Sequence, residues 1–350
     1  MNPFLYHVHG IGPFDFSRIT SDDLIPIQDL AAKSRTEIVP TIFLGRIGLP
    51  GLVDVLKAYD QLHTDGRLPN LAGFAVEGPM LGPLGGVPRE GKWIPTLREW
   101  EALAELGHYG LRYIVMTPDA LDLEDEVAAG VPFSDLLVRF YDAGVKVALG
   151  HYHHDDPVRS ARRTRDVLTF LHQHYESSPW LVLTDHLFND MPRAFVHAWR
   201  TPREREHREA ELATFLGDPW QEATLAEQLG PVPAELLTAT REGLVTPCLN
   251  FDGMHVDLTV CRRTVDYLGA ERLIALTDHI EVDRMANERL RKDANGLWLR
   301  EDGLVAAGST GYPQQRRHME SIGLDESEIT QLFSTNPRRA IYEPIGRRSR

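Results

Sequence analysis

Two histidines one residue apart, in His7-Val8-His9-Gly10, close a short apolar run at the start of the chain. Phe4-Leu5-Tyr6 reads as a strand, and the two-residue repeat of a strand puts His7 and His9 on one face. Two imidazoles so placed can share a divalent ion, and Gly10 lets the backbone turn away sharply. A single His-x-His is a weak signal. It gains weight because further ligand-type residues end other strand-like runs: Glu77-Gly78-Pro79, Gly150-His151, Thr184-Asp185-His186, Asp252-Gly253-Met254-His255 and Thr277-Asp278. Each also has a plain structural reading. Glu77 can open a turn, Asp185 and Asp252 can cap following helices, and at least one histidine of His151-Tyr152-His153-His154 is expected to face solvent. Asp278 resists such a reading, because a carboxylate ending the apolar run Leu273–Thr277 needs a strong partner.

The elements that would carry these residues alternate short β-branched runs with longer amphipathic stretches, the pattern of repeated βα units. Strands are predicted near Phe4–Val8, Ile38–Leu44, Leu71–Val76, Leu111–Met116, Val145–Leu149, Trp180–Thr184, Leu244–Asn250 and Leu273–Thr277. Helices are predicted between them, among others Leu97–Leu106, Pro157–His174 and Leu258–Leu268. This is an α/β pattern that predicts a (β/α)8 TIM barrel, whose strand ends converge on one mouth. Two features depart from a minimal barrel. A charged insertion at about 192–241, helix-prone over Pro202–Leu216 and Gln221–Leu229, could form a lid or a dimer contact. Asn295-Gly296, before Leu297-Trp298-Leu299, predicts a small hairpin after the last strand. With no repeat, linker or composition break, residues 1–350 are expected to form a single barrel domain carrying that insertion.

The 350 residues and 42% hydrophobic content suffice for one large core. The net charge of -14 argues against nucleic-acid and anionic-membrane partners. Cys248 and Cys261 read as reduced core residues. The first residues read as a strand instead of a signal peptide, and no apolar run approaches a membrane-spanning length, so a cytoplasmic location is expected.

Taken together, the motifs above, with His186-Leu187-Phe188-Asn189-Asp190-Met191 and Ser334-Thr335-Asn336-Pro337, resemble those of the N-acetylglucosamine-6-phosphate deacetylases. That family belongs to the amidohydrolase superfamily of metal-dependent barrel hydrolases. The resemblance spans nearly the whole chain in the family's motif order, and the His186–Met191 and Asp252–His255 strings are its specific parts. It implies that Glu77, His151 and His186 hold a principal metal and that His7 and His9 match ligands of a second. One or two divalent ions follow, with zinc the foremost choice for imidazoles and carboxylates. It further implies Asp278 as general acid/base, Asn189 and His255 as substrate contacts, and a homodimer.

Four departures accompany the resemblance. The family's accessory β-sandwich is expected to be absent or vestigial. Its Gly-Ala-His, whose histidine handles the reacting amide, is replaced by Gly86-Val87-Pro88-Arg89, so Arg89 is a candidate for that role. Asp190 puts a carboxylate where the family accommodates phosphate, which argues against a sugar phosphate. The family's phosphate-binding arginine has no clear match; His197 lies near the expected place, with Arg193 and Arg200 as substitutes. The metal and base machinery thus reads as retained and the substrate shell as rebuilt. The expected function is metal-dependent hydrolysis of a C–N bond in a small-molecule amide or N-acyl substrate, or in a larger one such as part of a peptide. The alternatives are non-hydrolytic chemistry at the same metal site (cyclisation, decarboxylation or isomerisation) and a non-catalytic binding barrel.

Overall fold

In a computed structural model that describes residues 2–194 and 219–348, eight parallel strands follow one another around a single sheet in sequence order. They are β1 Phe4–Val8, β2 Glu37–Phe43, β3 Phe74–Glu77, β4 Leu111–Met116, β5 Lys146–Leu149, β6 Leu183–His186, β7 Thr246–Asn250 and β8 Ile274–Leu276. The ring closes between the end of β1 and the residues that follow β8. There the Asp278 amide donates to His7 O at 3.0 Å and the His9 amide donates to His279 O at 3.0 Å. The chain is a (β/α)8 barrel.

Helices surround it: α1 Leu24–Ser34, α2 Leu49–Thr64, α3 Leu97–Glu105, α4 Phe133–Asp142, α5 Pro157–His174, α6 Pro231–Arg241 and α7 Leu258–Leu268. Each buries an apolar stripe against the strands. In α4, for example, Phe133, Leu136, Leu137, Phe140 and Tyr141 recur at helical spacing and are all buried. Capping follows the sequence: Thr96 and Glu99 form a capping box on α3, and Asp156 and Asp257 cap α5 and α7. Asp252 therefore is not the cap of the helix that follows it. At the N-terminal face of the barrel, buried Lys146 donates to Ala340 O and Glu343 O and pins the C-terminal helix to the start of β5. Asn336 donates to Ala270 O and Leu273 O, so the Ser334–Pro337 motif serves packing, away from the mouth.

Two strands, β3 and β6, begin three residues later than their apolar runs suggest. Leu71 makes only an isolated bridge, because Gly73 takes φ +124 and packs where a Cβ would lie 2.5 Å from Arg112; β3 starts at Phe74. Trp180–Val182 precede β6, which runs on to His186 and so carries Asp185 and His186 within the strand. The expected helix over Gln221–Leu229 is a 3₁₀ turn at Glu222–Thr224 followed by a short helix at Leu225–Leu229. Residues 231–241, assigned from sequence to the insertion, are barrel helix α6, tied to α5 by the Arg165–Glu235 ion pair at 2.5 Å. The Pro202–Leu216 stretch, His197 and Arg200 lie outside the described residues.

After β8 the hairpin expected at Asn295-Gly296 is present. Arg291–Lys292 pairs with Trp298–Leu299, and Val305–Ala307 adds a third antiparallel strand beside the mouth. Among the described residues, the sheets outside the barrel are such two- and three-stranded ribbons, and none forms a sandwich. Cys248 and Cys261 are buried and unbridged. No helix among the described residues is long and apolar enough to cross a membrane.

Candidate metal centre and active site

The barrel interior is filled from below by Phe4, Tyr6, Tyr113, Val115, Leu183 and Cys248, with Tyr6 and Tyr113 stacked at 4.7 Å. Regular alternation would send Tyr6 and His7 to opposite sides. Instead the β1–β2 register shifts between Leu5 and Val8, and His7 also reaches Tyr113, with Nδ1 3.3 Å from the phenolic oxygen. The irregularity turns both histidines into the mouth above an apolar floor.

Six of the expected residues meet there. His151 Nε2 lies 2.6 Å from Glu77 Oε1, and the other carboxylate oxygen, Oε2, lies 3.1 Å from His7 Nε2 and 3.4 Å from His9 Nε2. His9 Nε2 is 3.1 Å from Asp278 Oδ1, and His186 completes the group through Asp185, whose Oδ2 is 3.0 Å from its Nε2. Two overlapping sets of donor atoms, Glu77–His151–Asp185–His186 and His7–His9–Glu77, each lie within 4.8 Å of one another. All of these residues are buried.

The fit to a divalent ion can be tested on the donor atoms themselves. Nitrogen and oxygen ligands at about 2.1 Å from a tetrahedral ion lie about 3.4 Å apart, and the donor pairs here lie 2.6–3.4 Å apart, so a small outward shift of the closest pair admits an ion. Glu77 Oε2, both Asp185 oxygens and His186 Nδ1 are buried without hydrogen-bond partners. Such atoms are costly to leave unpaired, and an ion shared among these donors would satisfy the carboxylate oxygens. The residues fit.

Outer partners orient this set. Asp190 Oδ2 accepts from His151 Nδ1 at 2.6 Å, leaving Nε2 turned towards Glu77. Asp252 accepts from the amides of Met254 and His255 and, through Oδ2, from His255 Nδ1 at 2.6 Å. His255 Nε2 then faces Asp278 Oδ2 at 3.6 Å. Among the described residues, the non-glycine positions with left-handed φ include His151 at 52°, Phe188 at 68°, Asp190 at 43° and Asp278 at 44°. Backbone strain of this kind, on the order of 1–3 kcal/mol per residue, is held where the surroundings fix a functional geometry.

A cavity of about 190 Å³ opens onto the centre. Asn189, His255, Asp190 and Asp278 line it with Phe43 and the backbone of Gly85-Gly86. Arg89 does not reach it. The Arg89 amide is held by Glu288, and its side chain is 78% exposed, facing Asp302 at 3.9 Å. The buried guanidinium of that region is Arg300, engaged with Val87 O, Glu288 and Asp302. Arg193 does line the cavity, with Nη1 donating to Phe188 O and Met191 O.

Two residues at the centre were missed or misread from sequence. Asp185 caps no helix; it stands inside β6 with its carboxylate among the imidazoles. His154 turns into the cavity, with Nε2 3.6 Å from Asp190. Its signal was the His151–His154 run, in which spacing alone does not separate cavity-facing from solvent-facing members.

No protein-family model matches the chain, and no curated protein matches it. Solved structures do. An N-acetyl-D-glucosamine-6-phosphate deacetylase from Mycobacterium smegmatis is 20% identical over 99% of this chain and 81% of its own, with a TM-score of 0.66. The corresponding enzyme from Pasteurella multocida is 15% identical over 99% and 78%, at 0.68. That from Thermotoga maritima is 14% identical over 97% and 78%, also at 0.68. The chain shares its barrel fold with these structures. In this fold the motif residues from β1, β3, β5, β6 and the end of β8 are gathered at one mouth, as the sequence pattern predicts.

The charges of the protein groups at the centre give a signed prediction. Burial opposes charge on His7 and His255, but Asp185 and Glu77 around the first and Asp252 beside the second outweigh it, raising each from 6.5 to about 9. A histidine whose folded pKa lies above its unfolded one adds stability that is complete below pH 6.5 and lost as pH rises through about 9. Metal affinity moves oppositely, since protons compete for the ligand nitrogens. Chelator-treated protein should therefore melt at progressively lower temperature across this window, while the gain in Tm on adding zinc grows. A metal-free Tm that is flat from pH 6.5 to 9 would show that these imidazoles are not charged in the fold.

Proposed function

We propose that this protein is a metal-dependent hydrolase of a C–N bond in a small amide or N-acyl substrate, related in chemistry to the deacetylases whose fold it has. The observation that carries the reading is the position of Asp278. Its carboxylate borders both the buried donor cluster, at 3.1 Å from His9, and the open cavity. Glu77, His151 and His186 would hold the principal ion and His7 and His9, with Glu77, a second, zinc being the ion best matched to these donors. A bound ion supplies Lewis acidity, polarising the acyl carbonyl and bringing the pKa of water towards neutrality.

The protein's own groups do the rest. Burial favours protonation of Asp278, yet His9, His186 and His255 around it hold its carboxyl below the usual range, so it enters the reaction as a base. It accepts a proton from the attacking water as the new C–O bond forms, then delivers it to the nitrogen as the C–N bond breaks. His255, kept cationic by Asp252, presents Nε2 beside Asp278 and stabilises negative charge on the acyl oxygen. Asn189 positions the substrate from the cavity wall.

The same wall supports a non-phosphorylated substrate. Asp190 places a carboxylate on it, while Arg193, the arginine lining it among the described residues, is engaged with backbone carbonyls. The test is a panel of N-acylated sugars and simple amides, with and without a phosphate, assayed in ¹⁸O-labelled water. The expected result is turnover of an uncharged member with solvent oxygen in the released acid. A product formed without solvent oxygen would replace hydrolysis by a non-hydrolytic reaction, and a metal-loaded protein inert to the whole panel would favour a binding barrel.

A further inference from the structure

Asp185 is a group at the centre to which the mechanism above gives no role. Its side chain is fully buried, yet neither oxygen makes a hydrogen bond of sound geometry. A desolvated carboxylate without donors is among the costliest arrangements a fold can hold. Its neighbours are imidazole nitrogens: Oδ2 lies 3.1 Å from His151 Nε2 and 3.0 Å from His186 Nε2, and Oδ1 lies 3.5 Å from His7 Nδ1. His151 narrows the choice. With Nδ1–H given to Asp190, His151 Nε2 faces Glu77 at 2.6 Å and Asp185 at 3.1 Å, so that a proton or a metal ion must lie between the nitrogen and the two carboxylates. Lone pairs and carboxylates converge like this around a shared cation. The backbone makes room for it: a Cβ on Gly150 would meet the Asp185 Cβ at 2.5 Å.

We infer that Asp185 is a metal ligand coupling the two halves of the centre. Oδ2 joins Glu77, His151 and His186 as a fourth donor. Oδ1 faces the Nδ1 edge of His7 and fixes the tautomer that leaves His7 Nε2 for the other half. The inference rests on the metal-dependent reading above and adds to it a carboxylate in the centre.

The test is Asp185→Asn, which keeps the shape and removes the charge. Chelator-stripped wild type, Asp185→Asn and Glu77→Ala are titrated with Co(II) and with zinc, and metal content, visible absorption and Tm are recorded. If Asp185 is a ligand, Asp185→Asn binds the first ion on the order of 100-fold or more weakly, since even outer-shell losses cost 10–100-fold. Its Co(II) absorption changes, and its gain in Tm on adding zinc falls. Wild-type affinity and an unchanged Co(II) spectrum in Asp185→Asn, with metal lost in Glu77→Ala, would overturn the assignment while leaving the metal centre standing. Wild type that takes up no ion overturns both. If Asp185→Asn folds poorly, Asp185→Glu displaces the carboxylate by one methylene; a shifted Co(II) spectrum supports the ligand role and an unchanged one refutes it.

Discussion

Asp278→Asn is expected to lower kcat by about 10²–10⁴-fold, the usual contribution of a positioned general acid/base, on any amide that the substrate panel shows to be turned over, while metal content stays at the wild-type level. The separation follows from geometry. Asp278 Oδ1 is 3.1 Å from His9 Nε2, but the carboxylate lies outside both sets of converging donor atoms and beside the cavity. An amide keeps the volume and can still pair with His9, so the two imidazoles of β1 keep their places. What it loses is the capacity to take a proton from water and return it to nitrogen. Elemental analysis beside steady-state kinetics separates the two effects. Near-wild-type kcat in this variant would move the base elsewhere, and metal loss would move Asp278 into the ligand set.

Much of this centre was legible because a barrel maps sequence position onto space simply. A ligand-type residue at a strand's C-terminal end must reach the mouth, so Glu77, His151, His186, His255 and Asp278 could be placed by reading strand ends alone. What stayed hidden depended on side-chain direction. Asp185 precedes a histidine of the donor cluster, and strict alternation would turn its side chain away from the direction that His186 takes. The β6–β7 register shifts between Leu183 and His186, which lets both residues face the centre. The same effect at β1 lets Tyr6 and His7 both touch Tyr113. Arg89 failed for a related reason. Charge and nearness in sequence suggested a donor at the reacting carbonyl, but the 3₁₀ turn at Arg89–Gly91 and the Glu288 carboxylate direct that side chain to solvent. Asp190 lines the cavity, and its bond to His151 is not legible in the sequence, because the left-handed backbone at both residues brings the carboxylate back to the imidazole.

Glu77→Ala should have the largest effect of any single substitution, removing bound metal and with it all measurable turnover. Glu77 is the one residue common to both donor sets: Oε1 meets His151 at 2.6 Å, and Oε2 meets His7 and His9 at 3.1 and 3.4 Å. Although burial pushes its carboxyl towards protonation, His151 and His7 hold it well below its ordinary value, so it is ionised and ready to bind a cation. Truncation removes the shared negative charge and its two oxygen donors from both halves at once. His9→Gln supplies the contrast, because His9 belongs only to the His7–His9–Glu77 set. It should retain an ion held by Glu77, His151 and His186 and lose only the second. Elemental analysis of the two variants beside wild type, with the Tm gained on adding zinc, distinguishes a centre organised around one shared carboxylate from two independent sites. Full metal content in Glu77→Ala would show that Glu77 is not the shared ligand, and complete metal loss in His9→Gln would show that the two halves do not fill independently.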